Sequence, residues 1–181
     1  MAIRLVFLLL VTQVLVPSAN GMQKDSVSSE YRSLVPRHML ALLHAPEVHQ
    51  VKELRGKVVL VHFYAFQCHN CHANFEIYRR WHDQWHEKGV VVVGIQTPET
   101  SQERDPAAVK SAAAERKLEF PIIVDVASKN WDAWGNTMWP TVYVVDKNGY
   151  LRQWWAGELN WKGATGDKTI EQVVEQLLAE P

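Results

Sequence analysis

Two apolar runs in the middle of the chain predict buried strands with a helix between them. Residues Val58–Tyr64 and Val90–Gln96 are rich in β-branched residues and contain no breaker, which is typical of strands covered on both faces. The apolar residues between these runs recur three or four positions apart: Phe75, Tyr78, Trp81 and Trp85. This spacing predicts an amphipathic helix over 71–88, ended by Gly89. The three elements predict a βαβ crossover.

The second half of the chain continues the alternation of helices and strands. The pattern predicts an Ala-rich helix, a strand, a short helix, two strands and a closing helix, over residues 107–118, 121–125, 129–134, 141–146, 150–156 and 169–178. Asp146-Lys147-Asn148-Gly149 between the last two strands is a hairpin turn signal. This order predicts an α/β fold, a central mixed β-sheet with helices on both faces.

The N-terminus has the layout of a secretory signal peptide. Arg4 precedes an apolar run over 5–16, and small residues follow at 18, 19 and 21. The run has about twelve residues, whereas a membrane-spanning helix needs roughly twenty. We therefore predict a signal peptide at 1–21, an N-terminal extension at 22–50 and one folded domain at 51–181. An uncleaved N-terminal anchor is the alternative.

Composition narrows the function classes. The 181 residues are 47% hydrophobic and 22% charged, which is ordinary for a folded domain and excludes a disordered chain. The formal net charge is -1, so no basic excess is present to bind nucleic acid.

The chain has only two cysteines, Cys68 and Cys71, directly after the first predicted strand. A disulfide across two intervening residues closes a very small loop and stabilises a fold little, so a purely structural role explains the pair poorly. Three chemical interpretations remain: a redox dithiol, a covalent haem site, and part of a metal site. In the haem interpretation, Cys68-x-x-Cys71-His72 attaches the haem and Met138 is available as a second axial ligand. In the metal interpretation, His69 and His72 join the thiolates on copper.

Further motifs surround the cysteine pair. The residues Leu54-Arg55-Gly56-Lys57 lead into the first strand, Gly94-Ile95-Gln96-Thr97-Pro98-Glu99 follows the second, and Trp139-Pro140-Thr141 comes about seventy residues after the cysteines. With these motifs the chain resembles thioredoxin-fold proteins of the exported TlpA, ResA and DipZ kind over residues 53–178. The resemblance implies a thioredoxin-like fold in which Pro140 is cis and lies against the cysteine pair.

The resemblance also implies roles for individual residues. Cys68 would attack a substrate disulfide, because the helix N-terminus favours its thiolate, and Cys71 would resolve the mixed disulfide. Trp139 and Thr141, on either side of the proline, would face the substrate.

Three residues near the cysteines are candidates for tuning the pair. His69, when protonated, favours the thiolate of Cys68, and Asn70 replaces the proline that most thioredoxins carry. His62 stands where thioredoxin has a buried acidic proton acceptor, so it is a candidate base for Cys71. A hydrogen-bonded core histidine is the alternative for His62.

We therefore expect an exported thiol-disulfide oxidoreductase, periplasmic or otherwise extracytoplasmic, that uses the Cys68/Cys71 dithiol. Its expected partners are protein or small-molecule disulfides and a recycling partner, with no organic cofactor, metal or nucleic acid. We expect a monomer, and only the alternative of an uncleaved N-terminal anchor would attach it to the membrane. A peroxiredoxin-type peroxidase is disfavoured, since neither cysteine lies in a Pro-x-x-x-Thr-x-x-Cys pattern.

Overall fold

A five-stranded mixed sheet in the order β3-β2-β1-β4-β5 forms the centre of the computed structural model, which describes residues 54–181. The predicted signal peptide and N-terminal extension lie outside the described residues. The strands are β1 Val58–Tyr64, β2 Val90–Gln96, β3 Ile122–Val124, β4 Thr141–Val145 and β5 Leu151–Ala156. The helices are α1 His69–Trp85, α2 Pro106–Glu115, α3 Lys129–Ala133 and α4 Gly166–Ala179. Within the described part of the chain, no helix is long and apolar enough to cross a bilayer.

Strand β1 lies in the middle of the sheet. It pairs parallel with β2, Val58 opposite Val90, and antiparallel with β4, Phe63 opposite Thr141. All seven of its residues are buried, because helices cover both faces of the sheet. Because both faces of β1 are covered, its sequence is a continuous apolar run, as expected for a buried strand.

The side chains of β1 alternate between two cores. Val58, Leu60 and Tyr64 pack in a core with α1, α2 and α4. Val59, Val61 and Phe63 point to the other face, where Phe63 contacts the rings of Trp131 in α3 and of Trp134. The predicted mixed sheet with helices on both faces is confirmed.

Several predicted bounds differ from the structure by a few residues. Helix α1 begins at His69 rather than 71, because Cys68 is its N-cap and its sulfur accepts the N–H of Cys71. Helix α2 ends at Glu115 rather than 118, and Lys117 has a left-handed backbone with φ 53° that no helix continues. The closing helix α4 begins three residues earlier than predicted, at Gly166.

Candidate dithiol active site

The two cysteines lie at the N-terminus of α1, where β1 turns into the helix. They are joined as a disulfide with their Cα atoms 5.3 Å apart. Cys68 is 8% exposed, whereas Cys71, inside the first turn, is fully buried. An approaching sulfur can therefore reach Cys68 and not Cys71. The unpaired N–H groups of the first turn favour negative charge on Cys68 when the pair is reduced.

The Trp139-Pro140 peptide bond is cis and lies at the same end of the sheet as the cysteines. Pro140 directly precedes β4, whose first residue Thr141 pairs with Phe63 near the end of β1. The carbonyl oxygen of Pro140 accepts the N–H of Gly157 at 2.7 Å. The topology thus brings the predicted proline motif to the dithiol end of the sheet.

The two residues that flank Pro140 are less exposed than a substrate-facing role suggests. Thr141 is buried, and its hydroxyl donates to the carbonyl oxygen of Met138 at 2.9 Å. The ring of Trp139 is half-buried and stacks on Trp131 with 4.1 Å between ring centroids. Contact of Trp139 and Thr141 with a substrate stays a prediction.

His69 and Asn70, between the cysteines, are both exposed. Asn70 also borders a cleft of about 350 Å³ that is lined in addition by Trp155 and the exposed Trp161. A residue between the two cysteines therefore borders a cleft that is partly lined by aromatic side chains.

His62 is fully buried in a cluster of aromatic rings. Its imidazole stacks on Tyr78 at 4.1 Å and lies 5.1 Å from Phe120, edge to face. Among the described residues, neither ring nitrogen has a hydrogen-bond partner. Burial lowers the pKa of His62 to about 3, so the ring is neutral at physiological pH. Its service as a proton acceptor for Cys71 stays a prediction.

The sequence did not predict two buried polar side chains beside the site, Glu103 and Asn74. The Glu103 carboxylate is fully buried and accepts the N–H of Gln67, the residue before Cys68, at 2.8 Å. The sequence does contain an indication of this role. Thr100-Ser101-Gln102-Glu103 is a capping-box pattern, and Glu103 accepts the N–H of Thr100 at 2.8 Å. Asn74 interrupts the apolar face of α1 one turn after Cys71, which is a weaker signal.

The residues of the haem and copper alternatives are placed as follows. Nε2 of His72 donates to the carbonyl oxygen of Phe66 at 2.7 Å, and Met138 is 47% exposed. Within residues 54–181, no group of three or more His, Cys, Asp or Glu side chains is arranged to hold a metal ion.

Known proteins are similar to this chain over much of its length. The AhpC/TSA family model matches residues 35–154. Protein DipZ of Mycobacterium bovis is 35% identical over 129 residues, which are 71% of this chain and 18% of DipZ. The thiol-disulfide oxidoreductase YkuV of Bacillus subtilis is 32% identical over 134 residues, 74% of this chain and 86% of YkuV. The solution structure of an oxidised thioredoxin-like protein matches with TM-score 0.58 and 32% identity, covering 68% of this chain and 78% of that one.

Proposed function

This chain belongs to the AhpC/TSA family with a thioredoxin-like fold, and we propose that it is an exported thiol-disulfide oxidoreductase. One observation carries the proposal. Cys68, at the N-cap of α1, retains 8% exposure, whereas Cys71 is fully buried one turn later within disulfide distance. Such a pair separates an attacking sulfur from a resolving one.

The reaction proceeds in two exchange steps. The Cys68 thiolate attacks a substrate disulfide, forms a mixed disulfide and releases one substrate thiolate. The thiolate of Cys71 then attacks the Cys68 sulfur, closes the Cys68-Cys71 disulfide and releases the second substrate thiolate. Two electrons pass from the dithiol to the substrate, and the reverse sequence oxidises a substrate dithiol. A recycling partner restores the starting state.

Polypeptides are the proposed substrates. The cleft of about 350 Å³ begins at Asn70, between the cysteines, and offers the rings of Trp155 and Trp161 to a chain that flanks a substrate disulfide. Aromatic side chains bind apolar side chains, and the position of Asn70 between the cysteines in sequence supports a protein partner over a small thiol alone. Export rests on the N-terminal segment 1–21.

The two cysteine variants test the proposed activity. Cys68→Ser should abolish reduction of a peptide disulfide, and Cys71→Ser should accumulate a mixed disulfide that mass spectrometry detects as a covalent adduct on Cys68. Full activity in both variants would overturn the proposal.

The intact mass of the exported protein, quenched with a thiol-alkylating reagent, tests the competing chemistries. A chain that is alkylated twice only after reduction supports the redox dithiol. A mass increased by one haem, or by copper under native conditions, would replace it with the haem or copper alternative. A chain that lacks residues 1–21 would establish cleavage of the signal peptide.

A further inference from the structure

The peptide group between Phe66 and Gln67, directly before Cys68, is held by side chains at both of its ends. Its carbonyl oxygen accepts from Nε2 of His72 at 2.7 Å and from Nη2 of Arg116 at 3.3 Å. Its N–H donates to Oε1 of Glu103 at 2.8 Å. Three parts of the fold, α1, the end of α2 and the loop after β2, therefore meet on one peptide group.

Glu103 also forms hydrogen bonds within its own loop, the loop after β2. Its second oxygen, Oε2, accepts the N–H groups of Glu99 and Thr100, each at 2.8 Å. The side chain of Gln67 completes the connection, because it accepts from the Thr100 hydroxyl at 2.8 Å and donates to Gln102 at 2.5 Å. One fully buried carboxylate thus joins the loop after β2 to the turn that presents Cys68.

The same arrangement places two opposite charges close to the turn. Burial raises the pKa of Tyr64 at the end of β1; the charge of Arg116 opposes this rise, and the charge of Glu103 adds to it. Both charges therefore act at the point where β1 enters the turn. The other charged or titratable side chains near the turn are His69 and His72 of α1, Glu99 of the loop, and Glu115, whose carboxylate lies 3.7 Å from Nη1 of Arg116. A buried negative charge beside the turn disfavours the Cys68 thiolate, and the positive charge of Arg116 favours it.

We propose that Glu103 is a positioning residue of the dithiol: it orients the Phe66-Gln67 peptide group and, together with Arg116, sets how readily Cys68 becomes a thiolate. This inference rests on the proposed exchange function for its catalytic meaning. Its physical content is a coupling between the loop after β2 and Cys68, which can be measured without any substrate.

The test compares the pH profile of Cys68 alkylation in reduced protein, with Cys68 resolved from Cys71 by peptide mass. In Glu103→Gln, loss of the negative charge should move the profile midpoint about half a unit to one unit lower. In Arg116→Gln, loss of the positive charge should move it higher. General loosening of the turn cannot produce opposite shifts, so the pair of variants separates charge from packing. Glu99→Gln changes the same charge on an exposed side chain of the same loop and should leave the midpoint in place.

The orienting role has its own readout. The amide in Glu103→Gln accepts hydrogen bonds through one oxygen only, so either the Gln67 N–H or the loop N–H groups lose their acceptor. We expect the rate of peptide disulfide reduction to fall about tenfold, which corresponds to one lost charge-assisted hydrogen bond. A melting curve of each variant verifies folding, and profiles are compared only among folded variants.

The outcomes are distinct. Opposite shifts in the two variants with no shift in Glu99→Gln support the inference. Unshifted or equally shifted midpoints overturn it, as does failure of Glu103→Gln to fold while Arg116→Gln leaves the midpoint unmoved. Wild-type protein that reduces no disulfide but retains the opposite shifts would overturn the proposed function and leave the coupling intact.

Discussion

The side-chain oxygen of Asn74 accepts the backbone N–H of Leu159 at 2.9 Å, across 85 residues of sequence. The amide nitrogen of the same side chain donates to the carbonyl oxygen of Gly157 at 3.2 Å. Gly157 has φ 91°, a left-handed backbone that favours glycine, and its own N–H donates to Pro140. A chain of hydrogen bonds therefore runs from α1, one turn after Cys71, to the cis proline.

Asn74→Ala should destabilise the fold and the proline end of the site together. The substitution leaves the Leu159 N–H without its acceptor, and we expect a loss of about 1–3 kcal/mol of unfolding free energy. Denaturant unfolding measures the loss, and peptide disulfide reduction should slow as the proline loop moves. Asn160→Ala, at an exposed position in the same loop, is the matched control and should change neither value.

His62→Phe should weaken the dependence of stability on acid pH. In the wild type the unfolded histidine binds a proton below about pH 6.5, whereas burial holds the folded pKa near 3. The unfolded state therefore binds more protons across this window, and stability falls as pH falls from 6.5 towards 3. At its steepest this contribution is about 1.4 kcal/mol per pH unit, and the Phe variant should lack it.

Denaturant unfolding at several pH values between 7 and 4 provides the comparison, with the exposed His69→Gln as control. Equal slopes in the wild type and His62→Phe would contradict a buried, neutral His62. His62→Phe also tests the role of His62 as a proton acceptor for Cys71. Slower resolution of the mixed disulfide supports that role, and an unchanged rate leaves His62 as a core residue.

Trp139→Ala should affect stability as well as substrate choice. Its ring stacks on Trp131 at 4.1 Å, so removal of the ring should cost about 2 kcal/mol of unfolding free energy. Trp139→Phe retains an aromatic ring and should cost less. If Trp139 faces the substrate, both variants should slow reduction of a peptide disulfide more than reduction of oxidised glutathione. An equal effect on the two substrates would assign Trp139 to packing alone.

Arg152→Met should be far more destabilising than removal of an exposed arginine. Arg152 is 5% exposed and bonds the buried Asp146 at 3.2 Å, so the variant removes the positive charge that faces this carboxylate and leaves it only the N–H groups of the hairpin. We expect a loss of about 3 kcal/mol. Arg80→Met removes the exposed partner of the half-buried Glu171 and should cost under about 1 kcal/mol. Similar losses in the two variants would contradict this difference.

Much of the fold was predictable because its signals are local. The unbroken apolar run of β1 and the three- and four-residue spacing in α1 depend on near neighbours, and both predicted elements are present. The end of α2 was predicted three residues too late, because an alanine-rich pattern does not indicate the left-handed backbone at Lys117. Backbone conformation at such a turn depends on the packing around it.

The residues of the candidate site also fall into those that local motifs predicted and those that depend on long-range contacts. Cys68, Cys71 and Pro140 were found from motif and order, and the topology places them at one end of the sheet. The partners of Gln67 and Asn74 were not found, since Glu103 lies 36 residues from the first and Leu159 lies 85 from the second. Contacts between residues so far apart leave no periodic pattern in the sequence.

By itself, the sequence determined the α/β element order, the dithiol at a strand-to-helix turn and the absence of a basic excess, because short-range spacing and residue type suffice for each. Only the tertiary structure decided that Cys71 is buried, that the imidazole of His62 has no hydrogen-bond partner among residues 54–181, and that Glu103 and Arg116 meet at the peptide before Cys68. The reason is physical: burial, charge and hydrogen bonding at a site are set by groups that chain folding brings together from distant positions.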